Sequence, residues 1–189
     1  MPKLGAEPIR KAALINAAIE AVGRAGTLDV TVAQIARSAG MSPALAHHYF
    51  GSKDQIFLAA MRHILGNYGR AVRSAGTGAA QPRARLDAVL QASFDAENFS
   101  RDTVAAWLNF YTLAQTNPEA RRLLRVYHGR LRSNLRASLR ALTPRPEAIA
   151  ETLGALIDGV YLRAALSPDR IDSRAALALC ANYLDEALR

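Results

Sequence analysis

Residues 31–54, TVAQIARSAGMSPALAHHYFGSKD, decide the fold class of the chain around them. Thr31 and Gln34 have the T-x-x-Q spacing of a capping box, and Val32, Ile35 and Ala36 supply an apolar stripe at helical spacing. A helix therefore begins at Thr31. Gly40 takes the left-handed backbone angle that stops it, and Ser42 followed by Pro43 is an N-cap with proline at the first helical position. Ser52 with Gln55 repeats the box, so another helix opens at Lys53. A short helix, a glycine turn and a second short helix set polar side chains and two helix N-termini against a DNA backbone. DNA binding is the first expectation, and a transcription regulator the class.

The chain has 189 residues, half of them hydrophobic, enough to bury a sizeable core in one compact domain or two small ones. One cysteine, Cys180, excludes an internal disulfide and a multi-thiolate metal site, which suits a reducing cytosol. The opening MPKLGAEPIRKAAL has no long apolar run and no small-residue cleavage site, and no later stretch reaches the ~18 uncharged apolar residues of a membrane span. These features predict a cytoplasmic protein with no membrane partner.

Outward from the opening motif, the apolar period is helical everywhere, with no sustained alternation and no Asn-Gly hairpin, so the expected class is all-α. The first helix runs from about Pro8 to Arg24, with Leu14, Ala17, Ala18, Ala21 and Val22 inward. The fourth runs from Lys53 to about Ser74, with Phe57, Met61, Ile64, Tyr68 and Val72 on one face. Five more are expected near 82–97, 100–115, 118–142, 146–166 and 173–188, about nine in all. The small-residue segment SAGTGAAQP, residues 74–82, marks a break in pattern. The division expected is a DNA-binding unit over 1–53, its helix-turn-helix at about 31–50, and a ligand-binding and dimerisation region over 54–189. The fourth helix leaves one unit for the other and couples them.

A net charge of +8 and a pI near 10.2 suit a polyanion partner. Only six of the 24 basic residues precede Gln55, whereas eight arginines crowd the stretch from Arg121 to Arg145. Leu124, Tyr127, Leu131, Leu135 and Leu139 form a separate apolar stripe along that segment, so its arginines are read as a solvated face.

The segment GMSPALAHHYFGSKD, Gly40 to Asp54, ahead of a larger helical region resembles the TetR-type repressors. PKLGAEPIR (Pro2 to Arg10), AAWLNFY (Ala105 to Tyr111) and ALIDGVYLRAAL (Ala155 to Leu166) extend the likeness along nearly the full chain, toward the BetI branch of that family. The resemblance implies a homodimeric repressor of choline-to-glycine-betaine genes whose hold on double-stranded DNA, at a near-palindromic operator, is relieved by choline or a related quaternary ammonium. It implies Thr31 at a phosphate, Ser42, Pro43 and Ala44 at the start of the recognition helix, His47 and His48 at the DNA surface, and Tyr49 and Lys53 gripping the backbone. Ser and Lys donors suit phosphates, and a groove-facing His or Ala reads base edges or a thymine methyl. Many relatives carry Lys or Asn and then Gly where this chain has Pro43 and Ala44, so the preferred operator is expected to differ.

Each residue has a plainer role to weigh. The adjacent rings of His47 and His48 point about 100° apart with no carboxylate or thiol one turn away, so no metal is expected there. Phe50 reads as core, and Tyr49 as either core or phosphate contact. Lys53 at a helix N-terminus opposes the macrodipole and needs a favourable charge nearby, for which DNA is the candidate.

In the second region Trp107 and Tyr111 lie one turn apart, Phe94, Phe99, Phe110 and Tyr127 are candidates to converge on them, and Asp158 interrupts the apolar run LIDGVYL. A quaternary ammonium needs aromatic faces and a carboxylate because it has no N–H to donate. Phe94, Trp107, Tyr111, Tyr127 and Asp158 are therefore the effector-site candidates, with ordinary packing as the alternative. An unpaired Asp158 inside a bundle needs either a distant arginine or a bound cation.

The last two helices are rich in small and aliphatic positions. Leu153, Leu156, Val160 and Ala164 on one, with Leu177, Cys180, Ala181 and Leu184 on the other, are read as a self-complementary dimer face. The chain has no P-loop, G-x-G-x-x-G, G-x-S-x-G or Cys-His pair with an orienting group, so neither an enzyme nor a cofactor is expected. The competing classes are a TetR-type repressor with a different lipophilic or cationic effector, and a DNA-binding protein without ligand.

Overall fold

The computed structural model describes residues 6–77, 81–167 and 172–189. Among these residues the chain forms nine helices and no strand: α1 (Ala6–Ala25), α2 (Val32–Ser38), α3 (Pro43–Phe50), α4 (Lys53–Gly76), α5 (Pro82–Ser93), α6 (Arg101–Thr116), α7 (Pro118–Leu139), α8 (Pro146–Leu166) and α9 (Ser173–Ala187). No described helix is long and apolar enough to cross a membrane. Pro2 to Gly5 of the opening motif, and residues 78–80 of the small-residue break, lie outside the described residues.

Side-chain caps fix the helix starts. The Thr31 hydroxyl accepts from Gln34 N at 3.1 Å while Gln34 Oε1 accepts from Thr31 N at 2.7 Å. Ser42 and Ser52 cap α3 and α4 by accepting from Leu45 N and Gln55 N, each such cap contributing about 1 kcal/mol. Gly40 at φ 67 and Gly51 at φ 76 make the two sharp turns around α3, in the left-handed region where a Cβ is penalised. Two helices end earlier than their periodicity predicts. Helix α5 stops at Ser93 rather than near residue 97, because the Asp95 carboxylate accepts from Glu97 N and Asn98 N and draws the backbone into a turn. Helix α7 stops at Leu139, with Leu142 N donating to Leu139 O in a turn beyond it.

Two apolar clusters result. The first joins α1, α2, α3 and the start of α4 through Leu14, Ala18, Val22, Ile35, Ala46, Ile56 and Phe57. The second gathers α4 to α9 around Leu58, Met61, Ile64, Leu90, Trp107, Phe110, Leu135, Leu153 and Leu184. Helix α4 thus feeds both, Ile56 and Phe57 into one and Met61 and Ile64 into the other. Helix α1 also lies directly on α6. A Cβ at Gly23 would stand 2.0 Å from Asp102 Oδ1, and Asn109 Nδ2 donates to Gly26 O at 3.3 Å.

The expected dimer face needs correction. Leu153, Val160, Cys180 and Leu184 are buried inside the protomer, where they fill the second cluster. The stripes on α8 and α9 carry apolar residues on both sides, and the larger set turns to the protomer's own core. Leu156, Ala164, Leu177 and Ala181 remain half-buried, and the outward apolar side chains are Leu162, Leu166 and Leu179.

Candidate DNA-binding surface and effector pocket

On the first cluster's outer side, Thr31, Ser42, Pro43, Ala44, His47 and His48 are all exposed. Pro43, Ala44, His47 and His48 share one face of α3, opposite the buried Ala46 that holds the helix to the cluster. His47 Nδ1 lies 3.2 Å from Gly51 O, so this nitrogen donates and the ring is braced on its own helix end. Tyr49 is half-buried against the first cluster, with Lys11 Nζ 5.7 Å from its ring centre and the His48 ring at 5.6 Å. Phe50 packs half-buried on the same cluster. The Lys53 ammonium donates to Leu28 O at 3.1 Å, so a carbonyl of the loop between α1 and α2 is a favourable partner at this helix start.

The second candidate site is an aromatic cage between α4, α6, α7 and α8. Trp107 is the hub, with Tyr127 at 4.6 Å, Tyr111 at 5.7 Å and Tyr161 at 6.2 Å between ring centres. Tyr68 meets Tyr127 edge-on at 6.0 Å. Ile64, Ile157, Ser93, Asn98 and Asp158 complete the lining. The enclosed space is about 10 Å³, room for about one water.

Asp158 is the one carboxyl group in this lining. Tyr111 donates its hydroxyl to Oδ1 at 3.0 Å, and His128 Nε2 stands 3.0 Å from Oδ2. The side chains that Asp158 meets are thus a tyrosine on α6 and a histidine on α7. Burial pushes the Tyr68 phenol up to about 12 and the Tyr127 and Tyr161 phenols well above their ordinary value. Tyr111 is raised by burial and then by the adjacent Asp158. Each ring therefore presents a neutral π face at neutral pH. Tyr161 also ties the cage together, its hydroxyl proton shared between Ser93 O at 2.5 Å and Asn98 O at 3.0 Å.

Of the five expected effector residues, Trp107, Tyr111, Tyr127 and Asp158 converge. Phe94 does not line the cage: it is buried behind Tyr161, stacked edge-on with Phe99 at 5.3 Å. The early end of α5 places it in the loop that Tyr161 pins. Phe99 and Phe110 likewise support rings of the cage, Tyr161 and Trp107 respectively, from outside it. Tyr68, Tyr161 and His128 were missed from the sequence. Tyr161 lies one turn beyond Asp158 and was legible at that spacing, whereas His128 carries no signal until α7 and α8 are docked.

Comparison with known proteins assigns the class. Residues 14–60 match the family model "Bacterial regulatory proteins, tetR family", and residues 82–189 match "BetI-type transcriptional repressor, C-terminal". The chain belongs to the TetR family of transcriptional regulators, and within it to the BetI-type repressors. It is 51% identical over 186 residues to the HTH-type transcriptional regulator BetI of Brucella melitensis, covering 97% of this chain and 94% of that one. It is 50% identical over 191 residues to BetI of Rhizobium meliloti, covering 100% and 94%. Among solved structures, a transcriptional regulator from Pseudomonas aeruginosa PAO1 matches at TM-score 0.75 and 28% identity, covering 98% and 92%. A regulator from Saccharomonospora viridis in complex with choline matches at TM-score 0.83 and 21% identity, covering 93% and 95%, which shows the shared fold. The relatives are regulators, and the chain is a repressor-type DNA-binding protein rather than an enzyme.

Proposed function

We propose that this protein represses genes of choline uptake and glycine-betaine synthesis, and that choline or a related quaternary ammonium releases it from its operator. The observation that carries the reading is the cage of Trp107, Tyr111, Tyr127, Tyr161 and Tyr68 closed by the Asp158 carboxyl group. Aromatic faces attract a cation that has no hydrogen to donate, and desolvation strengthens the attraction to about 2 kcal/mol or more. The BetI names of its relatives and the choline in the S. viridis structure support the same ligand class.

In this reading the exposed face of α3 enters the major groove, and Thr31, Ser42, Tyr49 and the N-termini of α2 and α3 contact phosphates, with Lys53 beside them at the start of α4. The protein acts in the cytoplasm as a homodimer on a near-palindromic site. Leu162, Leu166 and Leu179, outward on α8 and α9, with half-buried Leu156, Ala164, Leu177 and Ala181 beside them, support a dimer face there. Choline is larger than the closed cage, so its entry moves the walls. Ile64 and Tyr68 lie on α4, which begins directly behind the recognition helix, and displacement of α4 would change the spacing of the paired recognition helices.

The test is a DNA-release titration with choline. Asp158→Asn is expected to need about tenfold more choline while binding operator DNA as wild type does, the loss expected when a desolvated cation loses its counter-charge. Equal release of mutant and wild type contradicts the assignment.

A further inference from the structure

We infer that His128 is the door of the effector cage and that the groove between α7 and α8 is the way in, an inference that rests on the cationic effector proposed above. Asp158 stands in the wall between two spaces. On its inner side is the closed cage, and on its outer side is a groove of about 440 Å³ shared by Arg125, His128, Gly129, Arg132 and Gly154. His128 closes the boundary. Its ring lies nearly parallel to Tyr111, at 22° and 6.5 Å, and 5.3 Å from Tyr127, while Nε2 holds Asp158 from the groove side.

Both carboxylate oxygens are engaged, Oδ1 by Tyr111 and Oδ2 by His128. A cation arriving through the groove therefore meets the imidazole before it reaches the carboxylate. The side chain of His128 is 44% exposed, and that of Asp158 28%. The imidazole leaves by rotamer rotation into solvent, a motion of picoseconds to nanoseconds that needs no backbone change, whereas Tyr111 is wedged against Trp107. Its departure uncovers the carboxylate and the edges of Tyr111 and Tyr127 together. Open space lies in front of two glycines at this groove: a Cβ at Gly129 would meet nothing within 4 Å, and one at Gly154 only Leu131 Cδ2 at 3.9 Å.

Arg125 and Arg132 along α7 and Glu151 on α8 flank the same groove, Glu151 at 3.7 Å from Arg132, so a cation on its way in passes a carboxylate before it reaches the imidazole.

Trp107 is the only tryptophan of the chain and the hub of the cage, so its fluorescence reports occupancy in stopped-flow mixing with choline. His128→Ala should associate about fivefold faster than wild type, for a half-exposed bond to a carboxylate removed. His128→Gln, which keeps a donor for Asp158, should stay within about twofold of the wild-type rate, and it guards against a folding defect in the alanine variant. Gly154→Leu should slow entry and exit by the same factor, leaving Kd within about twofold, the signature of an obstructed path rather than a damaged site. A wild-type rate in His128→Ala, or an unchanged rate in Gly154→Leu, overturns the door while leaving the effector standing. Absence of saturable choline binding to wild type overturns the effector and the door together.

Discussion

Asp158 closes the aromatic cage with one oxygen on Tyr111 and the other on His128. A carboxylate in the apolar run LIDGVYL announces itself, but its partner, His128, is thirty positions away on another helix. Spacing along one helix cannot name a contact made between two. The same limit applies to Lys53, whose ammonium meets the Leu28 carbonyl of a loop that periodicity leaves blank. Trp107 and Tyr111 were legible because aromatic residues one turn apart share a face, and Tyr127 because it stands on the apolar stripe of its own helix. The tyrosines also carry a pH prediction. Tyr68, Tyr111, Tyr127 and Tyr161 hold their protons more tightly in the folded chain than in the unfolded one, as does Cys180, raised by burial from an ordinary 9.0 to about 12. Between the unfolded and folded values the native state binds more protons, so stability is complete below the unfolded range and is lost as pH rises through the folded one. The urea midpoint should fall steadily from about pH 9 to about pH 11. A midpoint flat over that interval contradicts burial of these groups.

At the scale of elements, capping chemistry was the most legible signal. Thr31, Ser42 and Ser52 start α2, α3 and α4 where the sequence predicts. Helix ends were less legible, since Asp95 stops α5 by a side-chain bond that competes with a continuing apolar period. Docking of α1 on α6 left no trace in either helix alone, yet it joins the first cluster to the second. Gly23 permits it: an added Cβ would lie 2.6 Å from Asp102 Cβ as well as 2.0 Å from its carboxylate, so a rotamer change of Asp102 cannot make room. Gly23→Ala is therefore expected to force α1 and α6 apart at a cost of about 1–3 kcal/mol, despite the gain in helix propensity. Denaturant unfolding checks this, and an unchanged or raised midpoint contradicts the close approach. Polar contacts continue the junction, with Glu119 at the start of α7 accepting from Gln55 at 3.0 Å and from Arg62, both on α4.

For the whole molecule, the all-α class and the helix-turn-helix followed from the first 54 residues and the helical period of the remainder. Which side of α8 and α9 faces outward did not, because both sides are apolar. The outward leucines give a direct expectation: sedimentation should show a dimer, and Leu162→Glu with Leu166→Glu should return it to a 20.4 kDa monomer with the fold retained. A monomer in the unmutated protein at operator-binding concentrations removes the symmetric arrangement. The central claim is that the cage and the α3 surface share one equilibrium through α4. Fluorescence anisotropy of labelled intergenic DNA from beside this protein's own gene, titrated with choline at several salt concentrations, tests it most directly. The account predicts tight binding that falls steeply with log salt and is released by choline in the wild type. DNA binding that ignores choline, or that is flat in salt, contradicts it.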